Sequence, residues 1–194
     1  MKNNQIKLIT SQNIVHFTRG FTLVELLIVI ALIAVLAVAV ILTLNPAELL
    51  RQGRDSTRVS DLSNINSALS YYLADVNTTT WPIDRCYTHV TGLTTCTNRF
   101  SSTSLLAVVT SSQAVNGTGW LPINLNLISF RSPMPRYPVD PTNNTTYYYA
   151  FRPSTTYGFF EINAILESSK YLPQAQSDGG NSTSVFEMGT DLNL

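Results

Sequence analysis

Between Phe21 and Leu44 the chain runs for 24 residues with one charge, Glu25, and with neither glycine nor proline. No other feature constrains the fold as tightly. As a helix the run measures about 36 Å, against a hydrocarbon core of about 30 Å. A helix satisfies all its backbone polar groups internally, which lipid demands. A helix this long and apolar on every side is unusual inside a small soluble domain, so the pattern predicts a membrane span or a hydrophobic assembly helix. Its flanks decide orientation only weakly. Lys2, Lys7 and Arg19 precede it without an acid, while Arg51, Arg54 and Arg58 follow it together with Glu48 and Asp55. Basic residues alone give a near tie, and the acid-free side points to the cytoplasm. A secretory signal peptide is the competing reading, with Ala37 to Ala39 as a small-residue cleavage site. The usual apolar core of such a signal is about 7–15 residues, well short of this run.

The remaining composition narrows the function classes. The 12 basic and 12 acidic residues cancel, so bulk charge predicts no nucleic-acid partner. Only 12% of residues are charged, and Lys170 is the one lysine beyond residue 20. The downstream region is rich in Thr, Ser and Asn, a polar but weakly charged surface.

The stretch GFTLVELLIVIAL, beginning at Gly20, resembles the processing signal of type IV pilins and type II secretion pseudopilins. The resemblance implies that a prepilin peptidase cuts between Gly20 and Phe21 on the cytoplasmic side and that Phe21 is then N-methylated. Thr22, Leu23 and Glu25 complete the motif, with Glu25 fifth in the mature chain. A charge at the bilayer centre costs about 2.5–3.5 kcal/mol, so an intramembrane acid calls for a partner. Cleavage creates one, an α-amino group with a pKa of roughly 7.7–8. In the family, the glutamate of one subunit is thought to meet the Phe amine of its neighbour, neutralising both charges and fixing axial register. Without the motif, Glu25 would read as an acid reaching back to the headgroups.

The resemblance organises the chain into a leader, 1–20, a transmembrane and assembly helix, 21–44, an amphipathic continuation, 45–76, and a globular head, 77–194. The implied fold is α+β: a long N-terminal helix packed on a small antiparallel β-sheet head of pilin type. Asn45, Pro46 and Glu48 can be read as the N-cap, first and third positions of a new helix. The family's single curved helix favours a kink at Pro46 instead. Beyond it, Val59, Leu62, Ile65, Leu69, Tyr72 and Val76 recur at spacings of three and four, an amphipathic stripe. Arg54, Arg58, Asp61, Asn64 and Ser67 fall on the other face, which reads mostly as solvated.

In the head, an outward-facing and therefore oxidising location predicts a disulfide between Cys86 and Cys96 around a turn at Gly92. The CxxC spacing is absent and His89 stands alone, so no metal site is expected. Residues 104–115 fit a helix or a strand equally well. The alternation of Ile123, Leu125 and Leu127 suggests a strand, and Trp120 a core position. A proline-rich loop leads to a strand over Tyr147 to Phe151, followed by strands in TYGFFEINAIL and around Val185 to Met188. Two arginines, Arg136 and Arg152, closely flank the tyrosine run, too little to make it a nucleic-acid platform. Asp178, Asn181 and Ser182 could offer oxygens to calcium, but one carboxylate without ligand spacing reads as a turn. The N-x-[ST] matches at Asn77, Asn116 and Asn181 arise readily in such composition.

No nucleophile motif, phosphate loop or cofactor signature is found, and His16 would leave with the leader. The resemblance predicts a non-enzymatic filament subunit, polymerised through its own copies. Its further partners would be the prepilin peptidase, an inner-membrane assembly platform with its motor, and the lipid bilayer. Pilus, competence fibre and secretion pseudopilus share this stem. The alternative is a singly anchored binding or adhesion module with an uncleaved span. A membrane-tethered hydrolase would need a convergent carboxylate pair in a cleft.

Overall fold

The computed structural model describes residues 20–76, 81–101 and 104–194, without the side chains of 42–44. Residues 1–19 of the leader, with its basic residues and His16, and the sequon at Asn77 lie outside the described residues. The chain divides into two compact units, Met1–Leu44 and Asn45–Leu194. The described part of the first is α1, Leu23–Leu44.

The second unit opens with α2, Pro46–Asp75. The kinked continuous helix is not what forms. Helix stops at Leu44 and restarts at Pro46, because Asn45 takes a left-handed conformation at φ 41°. Asn is among the few residues that tolerate this region. Its side chain accepts a hydrogen bond from Glu48 N at 3.4 Å, and Pro46 fills a first-turn position where a missing N–H matters little. At the other end the Val76 N–H donates to Tyr72 O at 2.9 Å and the chain turns extended.

Six strands follow: β1, Cys86–Thr88; β2, Thr95–Thr97; β3, Ser104–Val109; β4, Ala150–Pro153; β5, Phe160–Ala164; and β6, Phe186–Gly189. They form one sheet in the order β2-β3-β1-β4-β5-β6. The sheet is mostly antiparallel and the fold α+β. One pairing departs from a purely antiparallel sheet: β3 runs parallel to β1, with Cys86 opposite Ala107. The reason is connectivity. Gly92, at φ 89°, turns the chain from β1 into β2, and β3 then folds back between them, antiparallel to β2. The ambiguous stretch at 104 is thus a strand. The expected strand at Ile123 to Leu127 is instead a 3-10 turn, Leu125–Leu127, because the Asn124 side chain captures Asn126 N at 3.1 Å. Likewise Tyr147 is not in a strand. The Asn144 side chain accepts from Thr146 N and Tyr147 N at 2.9 and 2.8 Å, and β4 begins only at Ala150. A short helix α3, Leu172–Ala175, precedes the last turn and strand.

The core lies between α2 and the near face of the sheet. Leu62, Ile65, Leu69 and Tyr72 of the stripe are buried there, with Val59 and Val76 at its margin. They meet Tyr87, Phe151, Phe160, Ile162 and Phe186, while Trp120, Leu121 and Tyr137 fill one side. Trp120 is buried, and its Nε1 donates to Pro138 O at 3.1 Å. On the far face Cys86, Val90, Cys96, Phe100, Tyr148 and Ala150 make a smaller cluster. The outer side of β6 is not left open at Glu187, whose N–H donates to Asp178 Oδ2 at 2.8 Å.

Candidate functional site

The predicted motif residues form the start of α1. Thr22 and Glu25 close a reciprocal box. Glu25 N donates to Thr22 Oγ1 at 3.1 Å, while Thr22 N and Oγ1 both donate to Glu25 Oε2, at 3.0 and 2.9 Å. This is the capping box of a helix N-terminus, and its carboxylate complements the positive end of the helix dipole. Glu25 Oε1 has no hydrogen-bond partner among the described residues. Gly20 has open space around its α-carbon, Leu23 is the first helical residue, and Phe21 is 80% exposed. Leu23–Ile41 is long and apolar enough to cross a bilayer, and none of it is buried in the protein. The arrangement therefore joins an unsatisfied apolar rod to a half-used carboxylate one turn from its tip.

Cys86 and Cys96 are joined, with Cα atoms 6.2 Å apart and both side chains buried in the far-face cluster. The bond ties β1 to β2 across the intervening β3. Asp178 behaves as a turn residue: Oδ1 accepts from Gly180 N at 3.0 Å and Oδ2 from Glu187 N.

A second site was misread in the sequence. Arg58, placed on a solvated face, is fully buried beside Asp55 and Asp140. Its Nε and Nη2 donate to the two oxygens of Asp140 at 2.7 and 2.9 Å, and its Nη1 reaches Asp55 Oδ1 at 2.8 Å and Glu167 Oε1 at 2.6 Å. The Tyr147 ring lies 5.0 Å from the guanidinium. Asp55 also accepts from the backbone N–H groups of Glu167 and Ser168 and from Ser168 Oγ. Arg54 forks onto Glu167 from outside, and Ser169 N and Oγ donate to Glu48 Oε1. Hydrogen bonds from Arg54, then from Arg58, hold the Glu167 carboxyl down at about 2. Burial pulls the Arg58 guanidinium down, but Asp140, Asp55 and Glu167 more than offset it, and its net shift is upward. These groups satisfy one another, so the cluster is a clamp between the first turns of α2 and the loops at 140–143 and 167–169. The i,i+3 pair Asp55/Arg58 was the available sequence signal.

A carboxyl pair of the kind a hydrolase needs does come near convergence, at Glu161 and Glu187, but both are buried at 0% and 1% exposure.

In comparison with known families, a profile described as the prokaryotic N-terminal methylation motif fits residues 17–41. No curated protein and no solved structure matches the chain.

Proposed function

We propose that this chain, which carries the type IV pilin and pseudopilin signature at its N-terminus, is a filament subunit that works by packing against copies of itself. The observation that carries the reading is the bare apolar helix Leu23–Ile41, opened by the Thr22–Glu25 box inside the matched motif. The leader lies in the cytoplasm, where a prepilin peptidase cuts between Gly20 and Phe21, and Phe21 is methylated on its new amine. Thr22 keeps Glu25 Oε2 occupied and turned toward the helix start, leaving Oε1 to accept from the α-amino group of an adjacent subunit. That amine carries its proton near neutral pH, having an ordinary pKa of roughly 7.7–8. Pairing it with the carboxylate inside an apolar bundle removes two uncompensated charges, and the pair can form at only one axial offset.

A partner motor supplies the energy of assembly, and filament growth also draws on packing of the lipid-held rods. Each apolar side chain moved from partial exposure into a bundle gains packing contacts that lipid tails make less well. An inner-membrane platform and motor would extract subunits from the bilayer, leaving the heads extracytoplasmic. The head acts as a polar cap on the second unit, clamped to α2 by the Arg58 cluster.

Intact-mass analysis of protein purified from its native membrane tests the reading. The expected species begins at N-methyl-Phe21. A chain retaining Met1, or one cut after Ala39, would refute it and favour the singly anchored module.

A further inference from the structure

The far face of the sheet holds a buried polar cluster that neither processing nor assembly uses. Phe160, Ile162 and Ala164 of β5 enter the main core, so Glu161 and Asn163 point to the opposite face. Glu187 of β6 joins them there: it is the cross-strand partner of Asn163, and all three are buried. Asn163 Nδ2 donates to Glu161 Oε1 at 2.8 Å and to Arg99 O at 2.5 Å. Ser182 N donates to Glu187 Oε2 at 3.1 Å. One oxygen of each acid remains. Glu161 Oε2 and Glu187 Oε1 are buried and receive no donor among the described residues, and the two side chains are diagonal neighbours across the β5–β6 pair, Glu187 opposite Asn163 and Glu161 opposite Gly189.

Two ionised carboxylates so placed repel, and a low-dielectric site amplifies the repulsion. The surrounding charges relieve it only in part: Arg152 lowers Glu161 somewhat, and the buried Nη1 groups of Arg152 and Arg99 make no hydrogen bond among the described residues. Arg152 of β4 faces Glu161 across the ladder, but its Nε and Nη2 are committed to Asp84 at 2.7 and 3.0 Å. Arg99, from the segment over this face, sends its Nη2 to the carbonyls of Thr146 and Tyr148. Asp178, in the loop before β6, adds a third negative group near Glu187. Gly180 lies against the Glu187 carboxyl group, where an added Cβ would collide with Oε2.

We propose that Glu161 and Glu187 share one proton, and that this shared proton latches β6 and the preceding loop onto the sheet. The bond is Glu161 Oε2–H to Glu187 Oε1, a charge-assisted contact of the short, strong kind. It gives both leftover oxygens a partner. Burial pushes Glu161 up to about 8 and Glu187 up to about 6, from an ordinary 4.5. A carboxyl group raised by folding stabilises the fold while it holds its proton. That contribution is complete below the unfolded value and is lost as pH climbs through about 6 to about 8.

The test uses the full chain in detergent micelles, unfolded by urea at about pH 5 and about pH 9. The wild-type folding constant should drop about tenfold or more between them. Glu161→Gln, whose amide can donate to Glu187 without titrating, should flatten that dependence, and Glu187→Gln should do the same. Parallel pH profiles for wild type and either variant would overturn the proposal. If neither variant folds, isotope-edited infrared spectra of the wild type decide at about pH 7. A neutral carboxyl band from glutamate is expected, and its absence would refute the shared proton. A rise in wild-type stability on adding calcium or magnesium at about pH 9, abolished by Glu161→Gln, would assign the pair to a cation and equally overturn it.

Discussion

Replacing Arg58 with methionine removes the centre of the clamp while keeping an unbranched apolar stem. Two carboxylates, Asp55 and Asp140, would then remain buried at 0% and 2% exposure. Asp140 loses both strong donors and keeps only the Thr142 and Asn143 N–H groups, at 2.8 and 3.3 Å. Asp55 is better provided, retaining the N–H groups of Glu167 and Ser168 and the Ser168 hydroxyl. Breaking a buried ion pair from one side costs about 3–5 kcal/mol. The uneven provision places this case near the middle, at about 4 kcal/mol, or about a thousandfold in the folding constant. That is a large share of the roughly 5–15 kcal/mol typical of a domain. Urea unfolding of the full chain in detergent, followed by tryptophan emission, measures it, because Trp120 is tied to Pro138, two residues from Asp140. The diagnostic comparison is Arg58→Met with Asp140→Asn added. Neutralising the abandoned acid should return at least about 1 kcal/mol, a coupling visible only if the two side chains act as a pair. An acid limb should also shrink. Glu167, held near 2, contributes stability that is present above 4.5 and disappears as pH falls toward 2, and part of that hold comes from Arg58. A single variant within about 1 kcal/mol of wild type, or a double variant no better than the single one, would refute the clamp.

Glu25→Ala should leave membrane insertion and head folding intact while abolishing filaments. Electron microscopy of sheared surface material checks this, and normal filaments would count against a role in register. Replacing Cys86 and Cys96 together by serine should lower stability by about 2–3 kcal/mol, as expected for a loop of ten residues. The same urea series with and without reductant measures it, and reductant should affect wild type alone.

The sequence disclosed what repeats locally. An apolar run without polar interruption can only be α1, and the three-and-four spacing of Leu62, Ile65, Leu69 and Tyr72 named the buried stripe of α2. Alternation found β5 because Phe160 and Ile162 pack on that stripe, and the Gly-rich turn preceding β6 marked that strand. Local hydrogen bonding defeated the rest. At Leu125 and Leu127 the hydrophobic period was that of a strand, but Asn124 offered the backbone a competing acceptor and a tight turn resulted. At Asn45 the sequence offered both readings, and the N-cap with Pro46 behind it prevailed over the single curved helix that the resemblance implied. The clamp was hidden for a different reason. Arg58 meets Asp140 across 82 positions, and its local partner Asp55 looks the same in sequence whether the arginine is bound for water or for a distant acid. Glu161 and Glu187 were visible as residues but not as neighbours, since only the β5–β6 register brings them together.

The Asp178 contact to the Glu187 N–H has a consequence for crowding. A last strand normally advertises unpaired amides on its outer side, and identical heads held side by side at high local concentration would be prone to stitch together through them. Here a side chain already occupies that position on β6, and the opposite border, β2, is only three residues long. Association by strand addition is thereby discouraged at both rims, which, on the proposed function, would leave the greasy rod as the surface through which copies find one another. A head that lost this plug would be expected to clump before it could be ordered.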